Sequence, residues 1–131
     1  MSKLLCRCGN IISDVVVPCP TEAWLFPQQD DNAAQEKFTT AVEAFLSAIR
    51  DGRREEWVLH FFLPGYPLDL ADSAIISDIR AHCEQEYGRS VAECEKCGRL
   101  WVQSFSGQNA YRSYSPDEGG YAAVLRGTAK A

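Results

Sequence analysis

The chain has 131 residues, 46% of them apolar, 24% charged and 11% aromatic, a balance that speaks for a soluble globular protein against a disordered or membrane-spanning one and fits one domain over residues 1–131. Eighteen acidic residues against 13 basic ones give a formal charge of -5. That charge disfavours generic binding to phosphate backbones, suits a basic protein partner, and accompanies a sequence with no apolar run of about 18 residues that could cross a bilayer.

The opening Met1-Ser2-Lys3-Leu4-Leu5-Cys6 is too short for the apolar region of a signal peptide, so a cytoplasmic protein is expected. Residues 1–27 hold short apolar runs ("KLL", "IISDVVV", "EAWLFP") between Gly, Asn and Pro stops, and predict short β-strands. "QQDDN" at 28–32 offers Asp31 or Asn32 as an N-cap, and a helix is predicted over Ala33–Arg50. Phe38, Val42, Phe45 and Ile49 recur there at spacings of four, three and four, and Gly52 is the stop. "REEWVLHFFL" at 54–63 reads as a second helix carrying Trp57, Val58, Phe61 and Phe62. "PGYP" forces a turn, and Asp69 or Asp72 then caps a third helix that turns Ile75, Ile76, Ile79 and Cys83 inward and ends near Gly88.

After Gly88 the pattern returns to strands. "SVAEC" and "RLWVQSF" flank a cysteine hook as a hairpin would, and "AYRSYS" pairs next; "YAAVLRG" reads as a short helix or strand before a frayed end.

Six cysteines in a reducing compartment read as metal ligands or buried thiols before disulfides. Cys94-x-x-Cys97-Gly98 and Cys6-x-Cys8-Gly9 each place two thiols ahead of a glycine that allows a tight turn, so that backbone N–H groups can aim at the sulfurs. Zinc takes four ligands in a tetrahedron, and two such hooks supply them. Cys6, Cys8, Cys94 and Cys97 are therefore the predicted ligands of a structural zinc, with His82 or Cys83 as reserve. His60, in the aromatic run, reads as a packed or surface residue. Cys19 reads as a loop thiol.

"CEKCGRLW" resembles a zinc-ribbon or rubredoxin-type knuckle over residues 6–10 and 94–102, although the first hook is one residue shorter than the usual Cys-x-x-Cys. The chain is also similar to small bacterial proteins that open with "CxCGN" and close with "CxxCGRLW" and "SYSP". Some small acidic proteins of that kind are immunity partners of toxins, so the resemblance implies a protein-binding role and no catalytic residue.

Catalytic zinc needs an open position that four thiolates close. A redox pair at Cys94 and Cys97 would sit at a helix N-terminus, whereas a strand follows here. A basic and aromatic strand face of Arg99, Trp101, Tyr111, Arg112 and Tyr114 is the alternative, a nucleic-acid-binding ribbon. The expectation is an α+β fold: a small antiparallel sheet with a zinc knuckle, and two or three amphipathic helices inserted between the hooks and packed on it. The expected role is non-catalytic binding of a basic partner, as an immunity protein or inhibitor of a toxin or effector, without nucleic acid or membrane.

Overall fold

A computed structural model describes residues 3–13 and 15–128. The expected start at Met1, Asp14 within its apolar run and the expected frayed end at 129–131 lie outside them. The architecture is α+β, with two antiparallel sheets and three helices among the described residues. The chain divides into two compact units, one made of the segments up to Phe26 and from Gly88 onward, the other of Pro27–Tyr87.

In the first unit, β1 (Lys3–Leu5) pairs antiparallel with β2 (Ile11–Ser13) as a separate two-stranded sheet. A four-stranded antiparallel sheet runs in the order β3 (Glu22–Leu25), β4 (Arg89–Glu93), β5 (Leu100–Gln103) and β6 (Tyr111–Tyr114). Leu25 faces Arg89 in the β3–β4 register, so all the helices occupy what would otherwise be one hairpin connection. The single small sheet expected from sequence is thus two sheets.

The "IISDVVV" run yields only β2. Its register puts Ser13 opposite Lys3, and Val15–Val17 pair with no strand among the described residues and stand exposed. Residues 121–127, expected as helix or strand, contain only turns and irregular backbone.

The second unit holds α1 (Gln28–Arg50), α2 (Arg54–Phe61) and α3 (Asp72–Tyr87). α1 begins five residues before its predicted start, with Pro27 at the N-cap position. The fixed φ of proline suits a helix entry, and Asp30 and Asp31 fall in the first turn, where carboxylates complement the helix dipole instead of capping it. The stop is as predicted: the Gly52 N–H donates to Ile49 O at 3.2 Å, and Arg53 N–H to Ala48 O at 2.8 Å, with Gly52 at φ 72°. This paired closure needs a left-handed residue, which glycine supplies at least cost.

The predicted stripes meet in one core. Phe45, Val58, Ile75 and Ile79 are fully buried with Ala41, and Phe38, Val42, Ile49, Trp57, Phe61, Phe62 and Ile76 pack around them. Arg54 organises the connection between α2 and α3. Its guanidinium donates to Leu68 O at 2.9 Å, Leu70 O at 2.6 Å and the Asp72 carboxylate at 3.0 Å, and lies 5.7 Å from the Phe45 ring centre. Lysine offers neither this fork nor its flat stacking surface. Arg54→Lys is expected to lower stability by about 1–3 kcal/mol, the cost of leaving such acceptors unpaired, and urea unfolding of the variant checks it.

Candidate metal centre

Each cysteine hook is the turn of a β-hairpin. Cys6 directly follows β1 and the hook leads into β2; Cys94 directly follows β4 and leads into β5. The two turns share one backbone pattern. In the first, Cys6 N–H donates to Asn10 O and Gly9 N–H returns to Cys6 O, both at 2.9 Å. In the second, Cys94 N–H donates to Arg99 O and Gly98 N–H returns to Cys94 O, again at 2.9 Å. Both bonds join the first cysteine to the glycine and to the residue after it. Cys6-x-Cys8 is therefore the same bonding pattern built in a turn one residue shorter.

Both turns close on a glycine in the left-handed region, Gly9 at φ 95° and Gly98 at φ 77°. Gly98 is constrained twice, because a Cβ there would fall 2.5 Å from the carbonyl of Gly120 and 2.8 Å from Tyr121 N. The segment after β6 thus crosses the second hook in backbone contact. Close by, Ala122 N–H approaches the buried Glu93 carboxylate at 3.4 Å, while the other Glu93 oxygen, Oε1, has no hydrogen-bond partner among the described residues.

The hooks bring the four predicted ligands together. Cys6 and Cys97 sulfurs lie 3.6 Å apart, as do those of Cys8 and Cys94, and all four sit within 4.8 Å of one another. Tetrahedral coordination with metal–sulfur bonds of about 2.3 Å requires sulfurs roughly 3.8 Å apart. Cys6, Cys8, Cys94 and Cys97 can therefore hold a metal ion. Cys6 and Cys94 are buried, Cys97 is half-buried and Cys8 is exposed.

The surroundings of the sulfurs are donors. Burial opposes ionisation of Cys94, but the backbone N–H groups of Cys97 and Lys96, together with the Asn10 amide at 3.4 Å and the Cys8 thiol, hold it down to about 6. Cys6 is also lowered: burial works against it, and the Cys8 backbone N–H, Trp101 and Cys97 outweigh burial. At Cys97 the Arg99 backbone N–H favours the thiolate, yet burial and the three neighbouring thiols push it up to about 11. Four thiols at this separation cannot all ionise alone, because each negative sulfur raises the next. A bound dication removes that conflict.

Trp101 packs against the cluster that holds Cys6 and Cys94, and its buried indole N–H, with no hydrogen-bond partner among the described residues, lies close enough to favour the Cys6 thiolate. A buried donor left over beside four sulfurs matches a negatively charged metal–thiolate shell. From sequence Trp101 is expected on a nucleic-acid-binding strand face or packed in the sheet, and Asn10 carries no expected role, although "CGN" sets an amide immediately after the first turn.

The remaining candidates lie elsewhere. His82 and Cys83 are on α3 and are not members of the sulfur group; His82 is exposed with its ring 5.1 Å from Phe61, and Cys83 is buried in the helical unit, where burial raises its thiol. His60 is exposed on α2. The Cys19 thiol meets the Thr21 hydroxyl at 3.3 Å. No helix opens at Cys94 or Cys97, since β5 follows.

The strand face proposed for nucleic acid is divided by register. Trp101 faces Ser113 and Gln103 faces Tyr111, which puts these four on one side of the sheet. Arg112 faces Val102 and Tyr114 faces Leu100, on the other side. Arg99 donates to Ser113 Oγ at 3.1 Å. The five residues do not form one basic and aromatic surface.

Residues 2–118 match the family described as Domain of unknown function (DUF8617). The chain is a member of the DUF8617 family. The match takes in both cysteine hooks and the whole helical insertion of this DUF8617 domain, and ends just before the segment that crosses Gly98. No curated protein and no solved structure matches it. Among the described residues no helix is long and apolar enough to cross a membrane.

The double constraint on Gly98 gives a measurable contrast. Gly9→Ala meets only the left-handed backbone and should cost roughly 1–2 kcal/mol. Gly98→Ala adds the collision with Gly120 and Tyr121 and should cost distinctly more. Parallel urea unfolding curves decide it, and equal losses would contradict the packing of this segment.

Proposed function

We propose that Cys6, Cys8, Cys94 and Cys97 hold one structural zinc, and that this DUF8617 domain is a non-catalytic binding protein whose partner is a basic protein, in the manner of an immunity protein or inhibitor of a toxin or effector. Zinc fits the donor set, since thiolates are its commonest structural ligands and need no coordination geometry beyond the tetrahedron. Four thiolates leave the ion no open position for substrate or water, and the donors around them neutralise sulfur charge without offering an acid or base.

The partner reading is carried by the distribution of charge. Residues 27–87 contain 12 of the 18 acidic residues and five of the 13 basic ones, a formal charge of -7 that leaves +2 on the rest of the chain. A concentration of one sign on one compact unit raises the encounter rate with a partner of opposite sign and discourages like-charged competitors.

The +2 on the sheet-bearing segments is what supports the second reading, a nucleic-acid-binding ribbon. Four thiolates with one zinc would carry -2 and cancel that excess, and the division of Arg112 and Tyr114 from Trp101 and Tyr111 weakens a stacking platform.

Two measurements test the proposal. Cys97→Ser is expected to lose zinc and melt at lower temperature, while Cys19→Ser and Cys83→Ser keep one zinc per chain; retained zinc in the Cys97 variant would defeat the ligand assignment. In titrations of the immobilised chain with cationic polypeptides and with single-stranded oligonucleotides, the polypeptides should bind and the oligonucleotides should not. Tight, salt-sensitive oligonucleotide binding would transfer the function to the ribbon reading.

A further inference from the structure

The helical unit carries a groove of about 540 Å³ bounded by α1, by Trp57 and Phe61 of α2, and by Tyr87 at the end of α3. Its α1 wall is a single stripe: Ala33, Lys37, Thr40, Ala41 and Ala44 recur at spacings of four, three, one and three. Three alanines keep this wall low beside the rings, which stack with centroids 4.8 Å apart and planes 10° from parallel. The shape is a valley between two helices, with aromatic surface on one side and small side chains on the other.

Stripe length and charge select the occupant. From Ala33 to Ala44 the helix rises about 16 Å, the length of roughly three turns of a second helix laid alongside. Small apolar walls with an aromatic floor are the surface on which an amphipathic helix lays its apolar face. Glu36 lies in the groove wall, Glu43 follows it by two turns, and Asp30 lies one turn before Ala33. Lys37, the cation in the groove, is bonded to the Glu86 carboxylate, which raises its pKa and occupies its charge. The unit as a whole carries -7. A lipid surface with anionic headgroups would be repelled by this unit. A helix with a leucine-like face and lysine or arginine on one flank would be attracted along the α1 edge, where Asp30, Glu36 and Glu43 lie.

We infer that the groove bounded by Ala33, Thr40, Ala41, Ala44, Trp57 and Phe61 docks a basic amphipathic helix of a partner protein. This rests on the reading of the protein as a binder of a basic partner, and adds the surface and the form of the ligand. The apolar floor gives the contact its specificity for a helix, and the acidic rim gives its speed and its salt dependence.

The test uses the full chain, a synthetic amphipathic Leu/Lys helix of about 12 residues to match the groove, and a scrambled peptide of the same composition. Amide shifts on titration map the site. The amphipathic peptide should bind at least about tenfold tighter than the scramble, a gap of about 1.4 kcal/mol, and shift Ala33, Ala44 and the Trp57 indole. Ala44→Arg, on an exposed wall position, should abolish that preference. Ala81→Arg, which adds the same charge on the exposed side of α3, should keep it. Equal binding of both peptides overturns the groove and leaves the basic-partner reading standing; no binding of either at low salt overturns both. Self-association of the free chain that Ala44→Arg removes would assign the groove to a second copy and also overturn the inference.

Discussion

Four cysteine sulfurs drawn from opposite ends of the sequence into one cluster are the constraint on which the sheet-bearing unit depends. Cys6 and Cys97 are 91 positions apart, and Cys8 and Cys94 are 86 apart. The β1–β2 hairpin has three described residues in each strand, too few to stand alone. It is attached where Cys6 and Ile12 join Ala92, Cys94 and Trp101 in one buried cluster. Closing so long a loop costs conformational entropy, and a metal bound only by the closed form returns that cost as binding energy. The two knuckles are alike in backbone, so the unit is two cysteine-turned hairpins facing one another.

Much of this was legible in the sequence because the signals were local. The Cys-Gly pairs marked both turns, and 3.6-residue periodicity marked the helices whose residues Phe45, Val58, Ile75 and Ile79 form the core. What was not legible depended on partners distant in sequence. The early start of α1 follows from Pro27 overriding the more familiar Asp and Asn caps. Val15–Val17 read as strand by propensity, yet form no strand among the described residues, since strand formation needs a neighbour in register. The roles of Asn10, Trp101 and Gly120 emerge only once residues separated by many positions share one cluster. Alternation along β6 alone separates Tyr111 from Arg112 and Tyr114, and only the register shows that Tyr111 shares a side with Trp101.

The division of chemistry between the units bears on function. In the proposed account the segments that carry the cysteines are close to neutral once a zinc–thiolate shell is counted. The inserted helices hold the acidic excess and the groove beside Trp57 and Phe61. In the proposed account the metal fixes the frame and the insertion meets the partner. The insertion enters after Leu25 and leaves before Arg89, a paired position in the sheet.

Hydrogen exchange of the chain as purified, compared with the same chain after chelation and with metal content measured in parallel, tests the central claim most directly. The account predicts one zinc per chain. Its removal should release the protected amides of Cys6, Gly9, Cys94 and Gly98 while Phe45 and Ile79 in the helical core keep their protection. Complete removal of metal with the hook amides still protected would contradict it, and would leave the four sulfurs as a thiol cluster held by packing alone.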